Sequence, residues 1–234
     1  MKRFYRFYYS IVGRKIIAAL TGLFLLVFLL VHALGNLNSF AGINADGIPA
    51  INAYADYLRN LATPLVPKSL LVWLFRLLLL IAFVLHVIAV LSLMHINRAA
   101  RTVDYQKRQY RHISFAAHWV FFSGLLLLLF IITHVSHFTL GILTPFESSP
   151  DDIYHNLNSA FQNGWLVLFY ILSLAALGLH LGHGIWSMFQ TLGLDNPDRN
   201  LVLRLIAAVT SIGLVTVFVS IPLAFYFDFL MPIN

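Results

Sequence analysis

Five stretches of this chain are apolar on every side, without the three- and four-residue alternation that marks a helix with one face in water. They cover roughly residues 15–34, 69–97, 114–143, 163–190 and 203–227. Each reaches the ~20 residues that a helix needs to cross the hydrocarbon core of a bilayer. Backbone in lipid has to satisfy its own hydrogen bonds, so runs of this length predict helices. The first run follows a basic N-terminus, as a secretory signal does. At residues 16–34 it outlasts the apolar core of ~7–15 residues usual in such signals, which predicts a retained helix. The pattern predicts an all-α integral membrane fold with five transmembrane helices in a single domain, 1–234.

The longest connection, 36–67, is punctuated by Gly42, Gly47, Pro49, Pro64 and Pro67. Inside it Ile51, Tyr54, Ala55 and Leu58 recur at helical spacing, which predicts a short amphipathic helix, about 50–61, lying on the outer surface of the membrane. There is no internal repeat and no low-complexity tract.

Composition agrees with lipid as the solvent: 60% of the 234 residues are hydrophobic and only 10% charged, against roughly 25% charged in soluble domains. The net charge of +6 is read through its placement, as loops facing anionic lipid and not as a nucleic-acid surface. Lys2, Arg3, Arg6, Arg14 and Lys15 lie before or at the start of the first span, Arg98, Arg101, Lys107, Arg108 and Arg111 follow the second, and Arg199 and Arg204 lie near the connection that leads into the fifth. The other side mixes Arg59 and Lys68 with Asp46, Asp56, Glu147, Asp151, Asp152 and Asp228. The positive-inside rule then predicts a cytoplasmic N-terminus and an external C-terminus. The chain has no cysteine, so it makes no disulfide, binds no iron–sulfur cluster and attaches no haem through thioether bonds.

Ten histidines in so apolar a chain call for a function, because ionisable groups in a bilayer are costly. At 1.5 Å per residue His32 lies ~26 Å beyond Lys15 and His134 ~30 Å beyond Ser114, both near the outer face. Helices two and four run the other way, so His86, ~27 Å from Lys68, and His180, ~26 Å from Asn163, fall in the cytoplasmic half. One histidine on each of the first four helices thus gives an outer pair and an inner pair, the arrangement for two stacked bis-histidine b haems. Neutral imidazoles ligate haem iron without adding net charge to the membrane, and a helix bundle is where such cofactors are built.

A lone membrane histidine also serves as an interhelical hydrogen-bonding group. The one-turn pairs His134/His137 and His180/His183 are spaced as metal ligands are, but they lie at opposite depths and cannot form one four-ligand centre. His137 and His183 are candidates for contact with a haem propionate or a quinone. His95, His112 and His118 fall near the cytoplasmic boundary and His155 in an outer loop, where solvation explains them. Arg76 is the one cation within the apolar core of a span; it suits the propionates of the outer haem, or it snorkels to the outer surface.

These residues carry a resemblance. Ser10-Ile-Val-Gly-Arg-Lys15, His32-Ala-Leu-Gly-Asn-Leu37, Asn52-Ala-Tyr-Ala-Asp-Tyr-Leu58, Arg76 with His86, Asn97-Arg-Ala-Ala-Arg101 with Tyr105, His134-Val-Ser-His-Phe138 and His180-Leu-Gly-His-Gly184 follow one another in order. As an ordered set they resemble the five-helix dihaem cytochrome b anchor of bacterial succinate dehydrogenases and fumarate reductases. The resemblance implies a multi-pass subunit of the bacterial cytoplasmic membrane, serving the respiratory chain and the tricarboxylic acid cycle. It implies that His32 and His134 hold the iron of the distal haem, and His86 and His180 that of the proximal one. It also implies two cytoplasmic partners, a flavoprotein subunit that carries the dicarboxylate chemistry and an iron–sulfur subunit that passes electrons to the haems. Some such anchors carry a glutamate two residues before the helix-four ligand for proton transfer; here that residue is Gly178.

The substrate of the membrane part is then a quinone, menaquinone or ubiquinone, with two candidate places. Ser10 and Arg14 share a face on the cytoplasmic side, though Ser10 also reads as a helix N-cap and Arg14 as a charge anchor. Asn36, Asn38, Tyr54 and His137 lie near the distal pair and are preferred, since an inner site leaves the distal haem without an acceptor. The alternatives are the cytochrome b subunit of a hydrogenase or formate dehydrogenase, which also binds two haems, and a histidine-lined cation transporter. The transporter is disfavoured by the lack of carboxylates in the spans.

Overall fold

The computed structural model describes residues 7, 10–100, 115–142 and 148–231. Lys2, Arg3, Arg6, Arg101, Tyr105, Lys107, Arg108, Arg111, His112 and Glu147 lie outside the described residues. Regular structure among the described residues is helical: α1 (Ile11–Asn36), α2 (Ala50–Arg59), α3 (Leu70–Ala99), α4 (Phe115–Phe138), α5 (Ile153–Phe161), α6 (Gly164–Thr191) and α7 (Asn200–Tyr226), with a 3-10 turn at Leu37–Phe40. Five of them, α1, α3, α4, α6 and α7, are long and apolar enough to cross a membrane, the mark of a multi-pass membrane protein.

Local chemistry decides where the helices begin and end. α1 starts four residues before the apolar run because Ser10 caps it: its hydroxyl accepts from Gly13 N at 2.9 Å and donates to Phe7 O at 2.7 Å. Gly13 is required there, since a Cβ would collide with the Phe7 carbonyl. α4 stops at Phe138, short of the expected 143, because the N–H groups of Thr139 and Leu140 both turn back to Val135 O and Gly141 takes a φ of +62°. α5 is an element that the apolar pattern did not predict. Asp152 caps it by accepting from His155 N at 2.9 Å, and Tyr154, Ala160 and Phe161 are buried beneath it.

The long helices run alternately up and down. The end at which α1 begins, here the near end, also holds the end of α3 and the start of α7. The far end is covered by α2 and α5. α6 is the central helix, burying Tyr170, Leu174, Leu177, Leu181 and Ile185 among its neighbours. It packs on α7 through small residues, where Ser211 Oγ donates to Gly178 O at 2.6 Å. α3 by contrast leaves Leu74, Leu77, Leu78, Leu80 and Ile81 exposed, the surface a lipid-facing helix presents. At the far end Asn52 of α2 ties the two short helices together: Nδ2 donates to Asp152 Oδ1 at 2.9 Å, and Oδ1 accepts from Tyr154 N at 3.0 Å. Tyr154 in turn donates to Met231 O at 3.0 Å, and desolvation raises its pKa, keeping the phenol a donor.

Candidate functional site: two facing histidine pairs

The bundle brings four histidines into two pairs. His32 of α1 and His134 of α4 lie with ring centres 5.9 Å apart and planes at 86°. His86 of α3 and His180 of α6 do so at 6.4 Å and 65°. Iron–imidazole bonds of about 2.0 Å, the length found for imidazole on other first-row metals, place opposed ring centres about 6 Å apart. Both ring-centre separations, 5.9 and 6.4 Å, match that spacing. No group of three or more histidine, cysteine or acidic residues that could hold a metal ion occurs among the described residues. Two imidazoles alone leave a bare cation short of ligands, whereas a macrocycle supplies the remaining four, and the residues present fit a haem.

The pairs are stacked along the bundle axis. His86 lies against Gly22 and His180 against Gly124, where an added Cβ would stand 3.2 and 3.5 Å from the respective Cε1 atoms. Gly22 is ten residues from His32 on α1, and Gly124 is ten residues from His134 on α4. Two independent helices thus give the same separation between pair centres, about 15 Å.

Each pair has its own surroundings. His86 Nδ1 lies 3.1 Å from Ala18 O and 3.2 Å from Thr21 Oγ1. A carbonyl can only accept, so Nδ1 carries the proton and Nε2 keeps its lone pair for a metal. His180 Nδ1 is buried with no hydrogen-bond partner among the described residues. The far pair sits among aromatic rings: Phe28 stacks on His32 at 5.2 Å, and Phe130 and Phe138 lie 5.6 and 5.5 Å from His134. His134 Nδ1 faces the Tyr170 hydroxyl at 3.4 Å. The Asn36 amide is 3.5 Å from His32 Nε2, at the outer limit of a hydrogen bond.

The other candidates divide by place. Ser10 spends both hydrogen-bonding roles on the start of α1, and Arg14 is half-buried one turn later. Asn38 donates to Gly35 O at 2.8 Å. Tyr54 rests on Gly35, where a Cβ would come within 2.9 Å of its ring, so Asn36, Asn38 and Tyr54 all gather at the far end of α1. His137 is buried, at 7% exposure, on the same turn of α4 as His134. His183 has a buried Nδ1 without a hydrogen-bond partner, as has Trp186 at Nε1. Arg76 is exposed and stacks on the Trp73 ring, 4.7 Å from its centre, a contact legible from the i, i+3 spacing of a cation and an aromatic on one helix. Gly178 faces α7, where a Cβ would lie 3.1 Å from Val215, so position 178 belongs to helix packing. His95, His118 and His155 are exposed.

No protein-family model matches the chain, and neither a curated protein nor a solved structure does.

Proposed function

We propose that this chain is the membrane-anchor cytochrome b of a bacterial succinate:quinone oxidoreductase, with two bis-histidine b haems between a cytoplasmic iron–sulfur subunit and membrane quinone. The observation that carries the reading is the pair of gaps, 5.9 and 6.4 Å, between imidazoles drawn from four different helices. A haem held in each gap supplies reversible one-electron transfer at its iron. The chain's own contribution is rigidity and insulation. Ala18 and Thr21 orient His86 from the α1 backbone outward, while Phe28, Phe130 and Phe138 exclude water around His32 and His134. Both ligands of each pair stay in place whatever the charge of the iron, which keeps reorganisation small.

The ordered motifs from Ser10 to Gly184 favour the succinate dehydrogenase and fumarate reductase type over a hydrogenase or formate dehydrogenase subunit. In this reading the near end meets the flavoprotein and iron–sulfur subunits, and quinone is reduced or oxidised at the far end beside Asn36, Asn38, Tyr54 and His137. Arg76, one face on Trp73, serves the propionates of the far haem.

The experiment is a reduced-minus-oxidised spectrum and haem count on the purified protein, followed by single replacements. Two b haems per chain are expected. His32→Ala or His134→Ala should remove one, and His86→Ala or His180→Ala the other. One haem per chain in the intact protein defeats the pairing, and none defeats the cytochrome. Co-purifying subunits of another enzyme class would redirect the assignment while leaving the haems.

A further inference from the structure

The two pairs differ in what holds the second nitrogen of their ligands. At the near pair His86 Nδ1 is met by a main-chain carbonyl, Ala18 O, at 3.1 Å. At the far pair His134 Nδ1 is met by a side chain, the Tyr170 hydroxyl, at 3.4 Å. Tyr170 is 4% exposed and comes from α6, a helix that supplies no ligand to the far pair. Its ring is held edge-on by Phe130 at 5.0 Å and Phe161 at 5.2 Å, with Phe138 at 6.4 Å. Packed so, the phenol has little freedom to turn away, and His134 is the one hydrogen-bond partner that the described residues give it.

We propose that Tyr170 is the positioning residue of the far haem: its hydroxyl oxygen accepts from His134 Nδ1–H, orients that ligand, and sets the potential of the far haem apart from that of the near one. This rests on the haem reading above. The chemistry follows from electron donation. An imidazole whose Nδ1–H is accepted by a lone pair becomes a stronger donor at Nε2, and stronger donation favours the ferric state. In the near pair His86 obtains this from the Ala18 carbonyl, with Thr21 Oγ1 beside it at 3.2 Å, and the backbone acceptor survives any side-chain replacement. The far pair obtains it from a phenol, a weaker acceptor at longer range, and so carries a separately adjustable ligand.

The test is a redox titration of both haems in the intact complex, with the far haem assigned by its loss in His32→Ala. Tyr170→Phe deletes the acceptor and keeps the aromatic packing. The ferrous to ferric ratio of the far haem at a fixed ambient potential should rise about three- to tenfold, the scale of one hydrogen bond, with the near haem unchanged. Should Tyr170→Phe fail to retain the far haem, the complex grown on 3-fluorotyrosine gives the second measurement. Fluorination weakens the oxygen as an acceptor without altering shape, and the far haem should again shift upward. Two retained haems with an unmoved far potential, or a downward shift on fluorination, overturn the proposal and leave the haem pairs standing. A protein with no haem fails at the first measurement, which separates the loss of the underlying reading from the loss of this one.

Discussion

At the scale of single residues, the geometry of each pair is a spectroscopic statement. Imidazole planes that are parallel donate into one iron orbital and split the d levels, whereas crossed planes leave two orbitals close in energy. The far pair crosses at 86° and the near pair at 65°. With a haem in each pair, as proposed, both ferric centres should therefore give highly anisotropic low-spin EPR signals with one dominant high-g feature, the far one the more extreme. A three-line rhombic spectrum from either would show that its ligand planes rotate when iron binds. Which nitrogen faces the gap is also decided here. Ala18 O fixes the His86 tautomer through a distance of 3.1 Å, a contact between residues 68 positions apart that no reading along the chain reveals.

Among the helices, the far-end cap is the element with the most testable energetics. α2 is a ten-residue helix with Ile51 buried beneath it, and α5 has nine residues. Neither is long enough to be stable alone in water, so each depends on its neighbours. Asn52 makes the link with two hydrogen bonds, one to the Asp152 carboxylate at 2.9 Å and one from Tyr154 N at 3.0 Å. Asn52→Ala leaves a backbone donor and a helix-capping carboxylate without that partner. A destabilisation of about 1–3 kcal/mol is expected, seen as a lower midpoint of thermal unfolding in detergent. The five spans were legible because apolar length alone specifies a helix in lipid. α5 was not, although Asp152 followed by Tyr154, Leu157 and Phe161 is a capped helical spacing; Asn156 and Asn158 break its apolar face and its shortness hides it between two spans.

For the whole molecule the question is orientation. Arg14, Lys15, Arg98, Arg199 and Arg204 all belong to the near end. The far-end cations are matched by carboxylates, Arg59 by Asp151 at 2.9 Å and Lys68 by Asp56 at 3.1 Å. Such exposed pairs add little stability, but they leave the far end without the excess of positive charge that retains a loop in the cytoplasm. The near end is accordingly expected inside. Alkaline phosphatase inserted after Gly47 should be active at the cell surface, and a fluorescent protein on the N-terminus should fluoresce from the cytoplasm; the opposite pair of results would reverse the topology and place the partner subunits at the other end.

The sequence by itself determined that the chain has five helices long and apolar enough to cross a membrane, since hydrocarbon tolerates only self-satisfied backbone and the five runs have the length it demands. Counting residues along those helices also sorts His32, His86, His134 and His180 into two depths, because rise per residue is constant. What only the tertiary structure decided is lateral: rotation of each helix about its axis, and hence which ring meets which. That is set by packing at particular places, by Gly22 and Gly124 admitting a ring, by Ser211 docking on Gly178, and by Tyr170 wedged among Phe130, Phe138 and Phe161 beside His134. In helices apolar on every side no hydrophobic face announces the inward direction, so the rotation that makes two 6 Å gaps appears only when the helices are assembled.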